Sequence, residues 1–386
     1  MRTIAVFTAT RAEYGLLRPV LSHLRASACH LHLLVSGTHL SRKHGYTLTE
    51  ITKDGFVPDV AIPLDLTTDA SEHLCQEIGR LITAIGEALA QIRPDLFVVL
   101  GDRYECLGAT LAAAMMHVPT AHLYGGEVTR GAMDDGFRHA ITKLSHLHFT
   151  SCEPYRRRII QLGEQPDHVW NVGALGVENA LNLPLLDIDA THTALGLPPG
   201  ASYILCTFHP VTLEPGQEID QLTALRKALD LFPHCHIVFT GANADSGGYN
   251  INQYIEHYAA AYPERVRFFQ SLGTLLYLSA ARHALCVAGN SSSGIIEVPS
   301  LGVPVVNIGH RQEGRIVSSA VLHCEPREKA IAAALAQTTA PERRALAKNT
   351  PNPYEKNGTS DAIAHTLLTF PLKGILKKMF YDMARN

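Results

Sequence analysis

Residues 288–304, with the sequence AGNSSSGIIEVPSLGVP, form the stretch that decides the fold. The apolar run at 284–287 precedes it and is typical of a buried parallel strand. Residues 295–298 begin a helix, which Pro299 and Gly302 keep short. The sequence therefore predicts a strand, a polar loop and a helix in succession, which is the repeating unit of an α/β fold.

The loop at 289–293 offers unpaired backbone N–H groups and three serine hydroxyls, from Ser291, Ser292 and Ser293. The first N–H groups of a helix bind anions such as phosphate. A serine there also caps an ordinary helix, and spacing alone leaves both interpretations open. Glu297 favours a nucleotide site. Its carboxylate would repel a phosphate bound directly beside it, but it could accept hydrogen bonds from both hydroxyls of a ribose. We therefore predict a nucleotide diphosphate site.

The composition predicts a folded chain of two domains. It has 386 residues, of which 46% are hydrophobic and 18% charged, so it can bury real cores. The net charge of −3, without long runs of one sign, argues against nucleic-acid or membrane-surface binding. The N-terminus lacks the long apolar core of a signal peptide. Eight scattered cysteines are typical of reduced thiols, so we expect a cytoplasmic protein.

Strands and helices alternate along the first half of the chain. We predict helices at 70–91 and 107–117. The predicted strands are 3–8, 32–35, 95–100, 120–123, 147–151 and 168–172. In open α/β sheets, ligands bind at the carboxyl ends of the strands.

Charged side chains follow several of these strands. Arg11 follows the first, which favours a phosphate clamp over a solvated loop arginine. Asp102, Glu127, Asp134 and Asp135 fall at or near later strand ends, so they are candidates for an acid/base site. One of the adjacent aspartates can equally cap the next helix. A divalent-metal site is disfavoured because the carboxylates have no established ligand spacing.

A second α/β series follows the polar connector at 187–199, with predicted strands at 203–208, 236–240, 284–287 and 303–308. His209 ends the first of these strands. Arg311 and Arg315 follow the last strand and are further candidates for phosphate binding. We predict one apolar and basic helix over 362–383, which packs back onto the body rather than lying on a membrane.

Motifs along essentially the whole chain resemble the hydrolysing UDP-N-acetylglucosamine 2-epimerases of bacterial sialic and legionaminic acid biosynthesis. In order, they are TRAEYG, LGDRYE, HLYGGE, DDGFRHAITKLSHLH, VGALGVENAL, FHPVT, GANADSG, GNSSSGIIEVPSLGVPVVNIG and HRQEGR. GNSSSG alone would be a weak signal, but so many segments in the right order are specific.

The resemblance implies an α/β fold of the glycosyltransferase-B kind, in which two Rossmann-like parallel-sheet domains face each other across a cleft. We expect an N-terminal domain at 1–185 with the catalytic carboxylates and a UDP-binding domain at 186–364. A C-terminal helix at 365–386 would pack back on the first domain. The resemblance also implies a UDP-sugar substrate and a homodimer or homotetramer, with no metal, other cofactor, nucleic acid or membrane.

By this resemblance, the residues that contact uridine diphosphate are Arg11, Arg103, Gly173, His209, Asn243, Ser291, Ser292, Ser293, Glu297 and Arg311. Asp102 and Asp134 match the catalytic aspartates of the family. Many relatives carry a catalytic glutamate directly before Gly-Gly, where this sequence has Tyr124. Tyr124 or Glu127 replaces that glutamate, or the two aspartates suffice.

The family reaction converts the UDP-sugar and water to UDP and free N-acetylmannosamine. The hydrogen on C-2 becomes acidic only as the anomeric C–O bond stretches, so departure of UDP runs ahead of proton removal. Asp102 or Asp134 then takes that proton and leaves a glycal. Water adds to C-1 while a proton returns to C-2 from the opposite face, and two faces require two groups.

Three alternatives share the diphosphate site: a glycosyltransferase, a non-hydrolysing 2-epimerase and a non-catalytic UDP-sugar-binding regulator. The carboxylate cluster argues against a glycosyltransferase, because that reaction needs one base or none. It also argues against a non-catalytic regulator, because such a protein could lose Asp102 and Asp134, and both are present. The sequence leaves the sugar open between N-acetylglucosamine and a 2,4-diacetamido-2,4,6-trideoxy relative.

Overall fold

The computed structural model describes residues 1–68, 70–130, 133–211, 216–242 and 247–383. The chain forms two compact units. Unit 1 comprises Met1–Glu127, Asp134–Leu175 and Lys356–Asn386, and unit 2 comprises Val128–Met133 and Gly176–Glu355. The chain therefore enters unit 2 for one short segment before it returns to unit 1, and its C-terminal segment also belongs to unit 1.

Unit 1 is built on a seven-stranded parallel sheet. Its strands are β1 (Arg2–Thr8), β2 (Cys29–Ser36), β3 (Val60–Ile62), β4 (Leu96–Leu100), β5 (Thr120–Leu123), β6 (Leu147–Thr150) and β7 (Val169–Asn171). Their spatial order is β3-β2-β1-β4-β5-β6-β7. The first six strands in this order match the Rossmann arrangement, in which the chain direction across the sheet reverses beside β1.

In the described part of unit 1, six α-helices connect these strands: α1 (Arg11–Ala26), α2 (Leu48–Lys53), α3 (Ser71–Ile92), α4 (Tyr104–Met115), α5 (Asp134–Leu144) and α6 (Glu153–Gln161). The central strand β4 is buried along its whole length, as expected for a strand with helices on both faces. One core cluster joins Phe7 and Phe97 of the sheet to Leu81 and Ile85 of α3. Small residues of α4, such as Ala109, complete that cluster and let the helix pack closely.

Unit 2 has a six-stranded parallel sheet. Its strands are β8 (Tyr203–Thr207), β9 (His236–Thr240), β10 (Val266–Phe269), β11 (Cys286–Gly289), β12 (Val305–Ile308) and β13 (Val321–Cys324). The order β10-β9-β8-β11-β12-β13 repeats the Rossmann arrangement of unit 1. Because β11 pairs with both β8 and β12, the GNSSSG loop that follows it lies at the centre of the sheet edge.

Among the residues that the structure describes, eight α-helices belong to this second series: α7 (Leu175–Asn182), α8 (Ile188–Leu195), α9 (Glu218–Asp230), α10 (Gly248–Ala261), α11 (Gly273–His283), α12 (Ser292–Ile296), α13 (Glu328–Thr339) and α14 (Pro341–Lys348). The core between sheet and helices includes Phe239, Leu225 and Ile255. Nowhere in the described ranges does a helix combine the length and apolar character needed to cross a membrane.

The predicted C-terminal helix over 362–383 is wrong between residues 370 and 383, and its predicted continuation over 384–386 lies outside the described residues. Helix α15 covers Thr359–Thr369 and stops before Pro371, since proline disfavours helical backbone in the residue that precedes it. Residues 370–383 pack on unit 1 without forming a helix. Lys378 Nζ lies 2.7 Å from a carboxylate oxygen of buried Glu164, and the Tyr381 N–H donates to the carbonyl of Gly163 at 2.8 Å.

Candidate functional site

Arg11 is the first residue of α1 and lies directly after the loop that follows β1, at the carboxyl edge of the unit 1 sheet. Thr10 caps helix α1, and its hydroxyl accepts a hydrogen bond from the Glu13 N–H. In return, Glu13 Oε2 accepts from the N–H groups of Ala9 at 2.8 Å and Thr10 at 3.2 Å. This reciprocal capping fixes the loop backbone, and Arg11 is half-buried beside it.

Arg103, predicted to contact uridine diphosphate, is paired with a carboxylate inside unit 1. Its Nε and Nη2 atoms lie 3.0 and 3.3 Å from the two oxygens of buried Glu105. Glu13 lies near this pair, and burial followed by the charge of Glu105 raises the pKa of Glu13 to about 7. Two buried carboxylates and one guanidinium therefore connect the loops that follow β1 and β4.

A second guanidinium brings together the carboxylates after β4 and at the start of α5. Arg138, whose side chain is 3% exposed, forms ion pairs with Asp102 and, at 2.8 Å, with Asp135. Asp134 is the first residue of α5 and is half-buried. The positive charge of Arg138 offsets the repulsion between the carboxylates that it joins. Arg138 was not among the predicted site residues, although its position three residues after Asp135 is a signal for an ion pair on one helix face.

The turn after β5 carries Tyr124 and Glu127 in different environments. Tyr124 has a left-handed backbone with φ of 68° and is 9% exposed. Glu127 is 2% exposed, and its Oε1 accepts a hydrogen bond from the Ser151 hydroxyl at 2.7 Å. Arg158 donates to the carbonyl of Gly126 between them. Since Glu127 is buried and bonded to Ser151, its position suits a structural role better than proton transfer.

In unit 2, the Asn290 side chain joins the ends of β8 and β11. Its Oδ1 accepts from the His209 N–H at 2.7 Å, and its Nδ2 donates to the His209 carbonyl at 2.8 Å. The Asn290 carbonyl accepts from Arg311 Nη1 at 3.0 Å and Gln312 Nε2 at 2.9 Å. Three predicted residues, His209, Ser291 and Arg311, are thereby held at one sheet edge. Asn290 and Gln312 were not among the predicted site residues.

His209 is neutral in this setting. Burial, followed by the charge of Arg311, lowers the pKa of His209 to about 3. The ring therefore offers a hydrogen bond to a ligand at neutral pH, rather than the positive charge expected of a cationic clamp. Arg315, the other predicted clamp after β12, donates from Nη2 to the Thr129 hydroxyl at 3.2 Å within unit 2.

The GNSSSG loop with its three serines, called the serine loop below, leads into a short helix. Ser291 caps α12 by accepting from the Ser293 N–H at 3.4 Å, and α12 ends after five residues. Anion binding at this place depends on local N–H groups and hydroxyls more than on a macrodipole. Glu297 lies against α7 so closely that a methyl group on Gly176 would come within 2.0 Å of its Oε1. Only glycine allows that approach.

Gly173 and Asn243 were also predicted to contact uridine diphosphate. Gly173 lies in unit 1, where Lys356 packs against it. Asn243 lies outside the described residues. Within the ranges that the structure describes, no three His, Cys, Asp or Glu side chains are grouped closely enough to hold a metal ion.

Comparison with known proteins identifies the relatives of the chain. The family model for UDP-N-acetylglucosamine 2-epimerase matches residues 22–368. The chain is 38% identical over 325 residues to the GDP/UDP-N,N'-diacetylbacillosamine 2-epimerase (hydrolyzing) of Campylobacter jejuni, with 84% of each chain covered. It is 34% identical over 389 residues to the polysialic acid biosynthesis protein P7 of Escherichia coli, with 99% of this chain and 98% of that protein covered.

A solved structure supports the fold assignment. The UDP-GlcNAc 2-epimerase of Neisseria meningitidis, crystallised with UDP-GlcNAc, superimposes with a TM-score of 0.80 at 19% identity over 95% of this chain and 100% of that one. The predicted α/β class with two Rossmann-like parallel-sheet domains of the glycosyltransferase-B kind is confirmed. The match to the family model and the identity over nearly full length to proteins such as P7 show that this chain belongs to the UDP-N-acetylglucosamine 2-epimerase family.

Proposed function

We propose that this protein is a hydrolysing UDP-N-acetylglucosamine 2-epimerase, which forms UDP and free N-acetylmannosamine as the first step of sialic acid biosynthesis. The observation that carries the proposal is the cluster of Asp102, Arg138 and Asp135 beside Asp134, at the carboxyl edge of the unit 1 sheet. A glycosyltransferase or a binding protein has no need for several carboxylates held at that edge. Elimination and re-addition at C-2 require proton transfer on two faces.

Unit 2 supplies the groups for the nucleotide in this proposal. Arg311 and the serine loop bind the diphosphate and stabilise the charge that builds on it as the anomeric C–O bond breaks. Glu297 accepts the ribose hydroxyls. Neutral His209 donates a hydrogen bond, since its depressed pKa removes the positive charge at neutral pH. The bonding electrons of the C–O bond leave with UDP.

Unit 1 supplies the groups for the sugar. Asp102 removes the C-2 proton as UDP departs, which leaves a double bond between C-1 and C-2. Arg138 is a positioning residue that fixes the orientation of Asp102 through their ion pair. Asp134 then delivers its carboxyl proton to the opposite face of C-2, water adds its oxygen to C-1, and the proton that this water loses returns to the Asp134 carboxylate. Asp102 releases the C-2 proton to solvent. The net reaction consumes one water and inverts the configuration at C-2.

Arg11 adds a positive charge to the site in this proposal. We further propose that the enzyme acts in the cytoplasm as a homodimer or homotetramer. Analytical ultracentrifugation of the full chain tests the oligomeric state directly, because the monomer mass is 42.0 kDa.

The choice of sugar has a specific competitor. The Campylobacter jejuni relative and a Legionella pneumophila protein, 34% identical over 376 residues, are both named for hydrolysis of a diacetylbacillosamine nucleotide. We favour N-acetylglucosamine because the matching family model is that of UDP-N-acetylglucosamine 2-epimerase, and a Neisseria meningitidis protein of that name is 30% identical over 338 residues, 87% of each chain. Product analysis by mass spectrometry after incubation with each UDP-sugar separates the two. Turnover confined to the diacetamido sugar would overturn the choice of substrate, and UDP-N-acetylmannosamine as the end product would indicate the non-hydrolysing reaction.

Combined Ser291→Ala and Arg311→Ala substitution is expected to weaken UDP binding by about ten- to a hundredfold. The loss of one charge-assisted contact costs about 1.5–3 kcal/mol, which corresponds to that range. Asp134→Asn should leave UDP binding nearly unchanged, because Asp134 acts on the sugar. Isothermal titration calorimetry with UDP measures both variants. Equal losses in the two variants would refute the division of labour between the units.

Tyr124→Phe is expected to retain most of the activity. The phenyl ring still fills the nearly buried site, and an unperturbed phenol with a pKa of about 10 is a poor base at neutral pH. Glu127→Gln serves as its matched partner, since Glu127 is bonded to Ser151 rather than exposed. Turnover of both variants is measured beside UDP binding. A loss of about a hundredfold or more in Tyr124→Phe alone would identify its hydroxyl as the second proton-transfer group.

A further inference from the structure

Tyr277 brings a phenol hydroxyl to the ligand-binding edge of unit 2. It lies on α11, where the hydroxyls of Ser293 and Thr207 are its hydrogen-bonding neighbours and the carboxylate of Glu297 lies nearby. Thr207 ends β8, Ser293 belongs to the serine loop, and Glu297 follows α12. The Tyr277 hydroxyl is therefore adjacent to the side chains that we assign to the diphosphate and the ribose.

Among the described residues, this hydroxyl makes no hydrogen bond of ordinary length and angle, although its oxygen is shielded from solvent. The Ser293 and Thr207 hydroxyls lie close enough for weak hydrogen bonding only, which lowers the pKa of Tyr277 slightly against the effect of burial. The neighbouring Thr207 hydroxyl is already engaged with Thr240 Oγ1 at 2.5 Å. Buried polar groups in folded proteins are normally hydrogen-bonded, and each exception calls for a specific reason. A donor left unused beside a ligand site is explained if the ligand supplies its acceptor.

Other buried tyrosines of unit 2 provide the contrast. The Tyr203 hydroxyl donates to the Ala280 carbonyl at 2.6 Å. The Tyr258 hydroxyl donates to Asp230 at 2.7 Å, and the Tyr354 hydroxyl donates to the Ile316 carbonyl at 2.7 Å. In each case the aromatic ring packs in the interior and the hydroxyl finds an acceptor, as tyrosine does when it is buried. Tyr277 has the buried hydroxyl without the internal acceptor.

The charge state of Tyr277 suits an anionic ligand. Burial raises the pKa of Tyr277 to about 12, and the nearby carboxylate of Glu297 acts in the same direction. The phenol is therefore un-ionised at neutral pH and can donate a hydrogen bond without repelling a phosphate. Aspartate or glutamate at this place would carry a negative charge and would not.

We propose that Tyr277 is a binding residue of the nucleoside diphosphate site, donating its hydroxyl hydrogen to a ligand oxygen beside Ser293 and Glu297. This inference rests on the proposed function, because that function makes a nucleoside diphosphate the ligand of unit 2. The sequence gives little signal for it: the segment LLYL at 275–278 has the pattern of an ordinary helix core.

Calorimetric titration of Tyr277→Phe with UDP tests the inference. Removal of the hydroxyl is expected to weaken UDP binding by about five- to twentyfold, the range for one hydrogen bond to a ligand. The stability of the ligand-free protein should be maintained or increased, because no internal hydrogen bond is lost. Tyr203→Phe is the matched control: it should lose stability in urea denaturation, since its bond to Ala280 disappears, and should bind UDP as the unmodified protein does.

The outcomes separate this inference from the proposed function. UDP binding by Tyr277→Phe equal to that of the unmodified protein would overturn the role of Tyr277, even if the enzyme hydrolyses its UDP-sugar normally. A loss of stability like that of Tyr203→Phe, with UDP affinity unchanged, would also overturn it. Conversely, an unmodified protein that binds UDP but releases no free sugar would refute the proposed function and leave the binding role of Tyr277 intact. Failure of the unmodified protein to bind UDP would refute both.

Discussion

Asp102→Asn is expected to reduce turnover of the UDP-sugar by about 10²–10⁴-fold, the range for loss of a general acid or base. The amide keeps the size and shape of the side chain but cannot take the C-2 proton. Arg138 retains its ion pair with Asp135, so the local fold should persist. UDP affinity should be unchanged, because unit 2 provides the main contacts to the nucleotide.

Asp95→Asn is the matched control for this experiment. Asp95 directly precedes the same strand, β4, at its opposite end, where its carboxylate accepts from the Thr3 N–H at 2.7 Å. It should alter turnover little. Steady-state kinetics, calorimetry with UDP and a thermal melt are needed for both variants. Full turnover in Asp102→Asn would remove this residue from the mechanism, and parallel losses of turnover and melting temperature would show a structural role instead.

Gly289→Ala is expected to destabilise unit 2 by more than about 4 kcal/mol, an exceptional value for one methyl group. Gly289 has φ of 137°, and a Cβ on it would lie 1.9 Å from the carbonyl oxygen of Thr207. That oxygen belongs to the neighbouring strand β8, so backbone in the middle of the sheet would have to move. The loops that carry His209 and Ser291 would move with it, and UDP binding should be lost.

Gly200→Ala is the matched control for Gly289→Ala, because it introduces backbone strain without a steric collision of the new methyl group. Gly200 also has a positive φ, 74°, but a Cβ there would meet nothing within 4 Å. Its expected cost is about 1–2 kcal/mol, the penalty of a left-handed conformation for a residue with a side chain. Urea denaturation of both variants provides the comparison. Similar midpoints would show that the sheet accommodates the methyl group and that the close approach at Gly289 is not rigid.

The central strands could be predicted from the sequence because both of their faces are buried. The bounds of β5 and β9 match the predicted strands at 120–123 and 236–240. The edge strands β3, β10 and β13 were missed. They are only three or four residues long and partly exposed, so they lack the continuous apolar run that marks a buried strand.

The tail shows where a periodic pattern misleads. Apolar and basic residues recur at helical spacing over 362–383, but Pro371 and the left-handed Gly374 lie within that pattern. Local backbone chemistry prevails over periodicity there. The tail is held instead by contacts with unit 1, such as the ion pair of Lys378 with Glu164, which no local signal announces.

The residues of the candidate site also fall into two groups, one that could be predicted from the sequence and one that could not. Residues that directly follow strands, such as Asp102 and His209, could be found because topology places strand ends at the ligand-binding edge. Side chains that act through a partner distant in the sequence could not. Arg138 reaches Asp102 across 36 positions, and Asn290 reaches His209 across 81. The neutral state of His209 also depends on burial, which only the folded chain defines.

The central claim is an elimination through C-2 followed by hydration, and hydrogen exchange at that carbon tests it most directly. The protein is incubated with UDP-N-acetylglucosamine in heavy water, without added metal or NAD, and the reaction is followed by proton NMR. Elimination removes the original C-2 hydrogen, and solvent supplies its replacement. We predict free N-acetylmannosamine that carries deuterium at C-2. Free N-acetylmannosamine that retains its original C-2 hydrogen would contradict the mechanism.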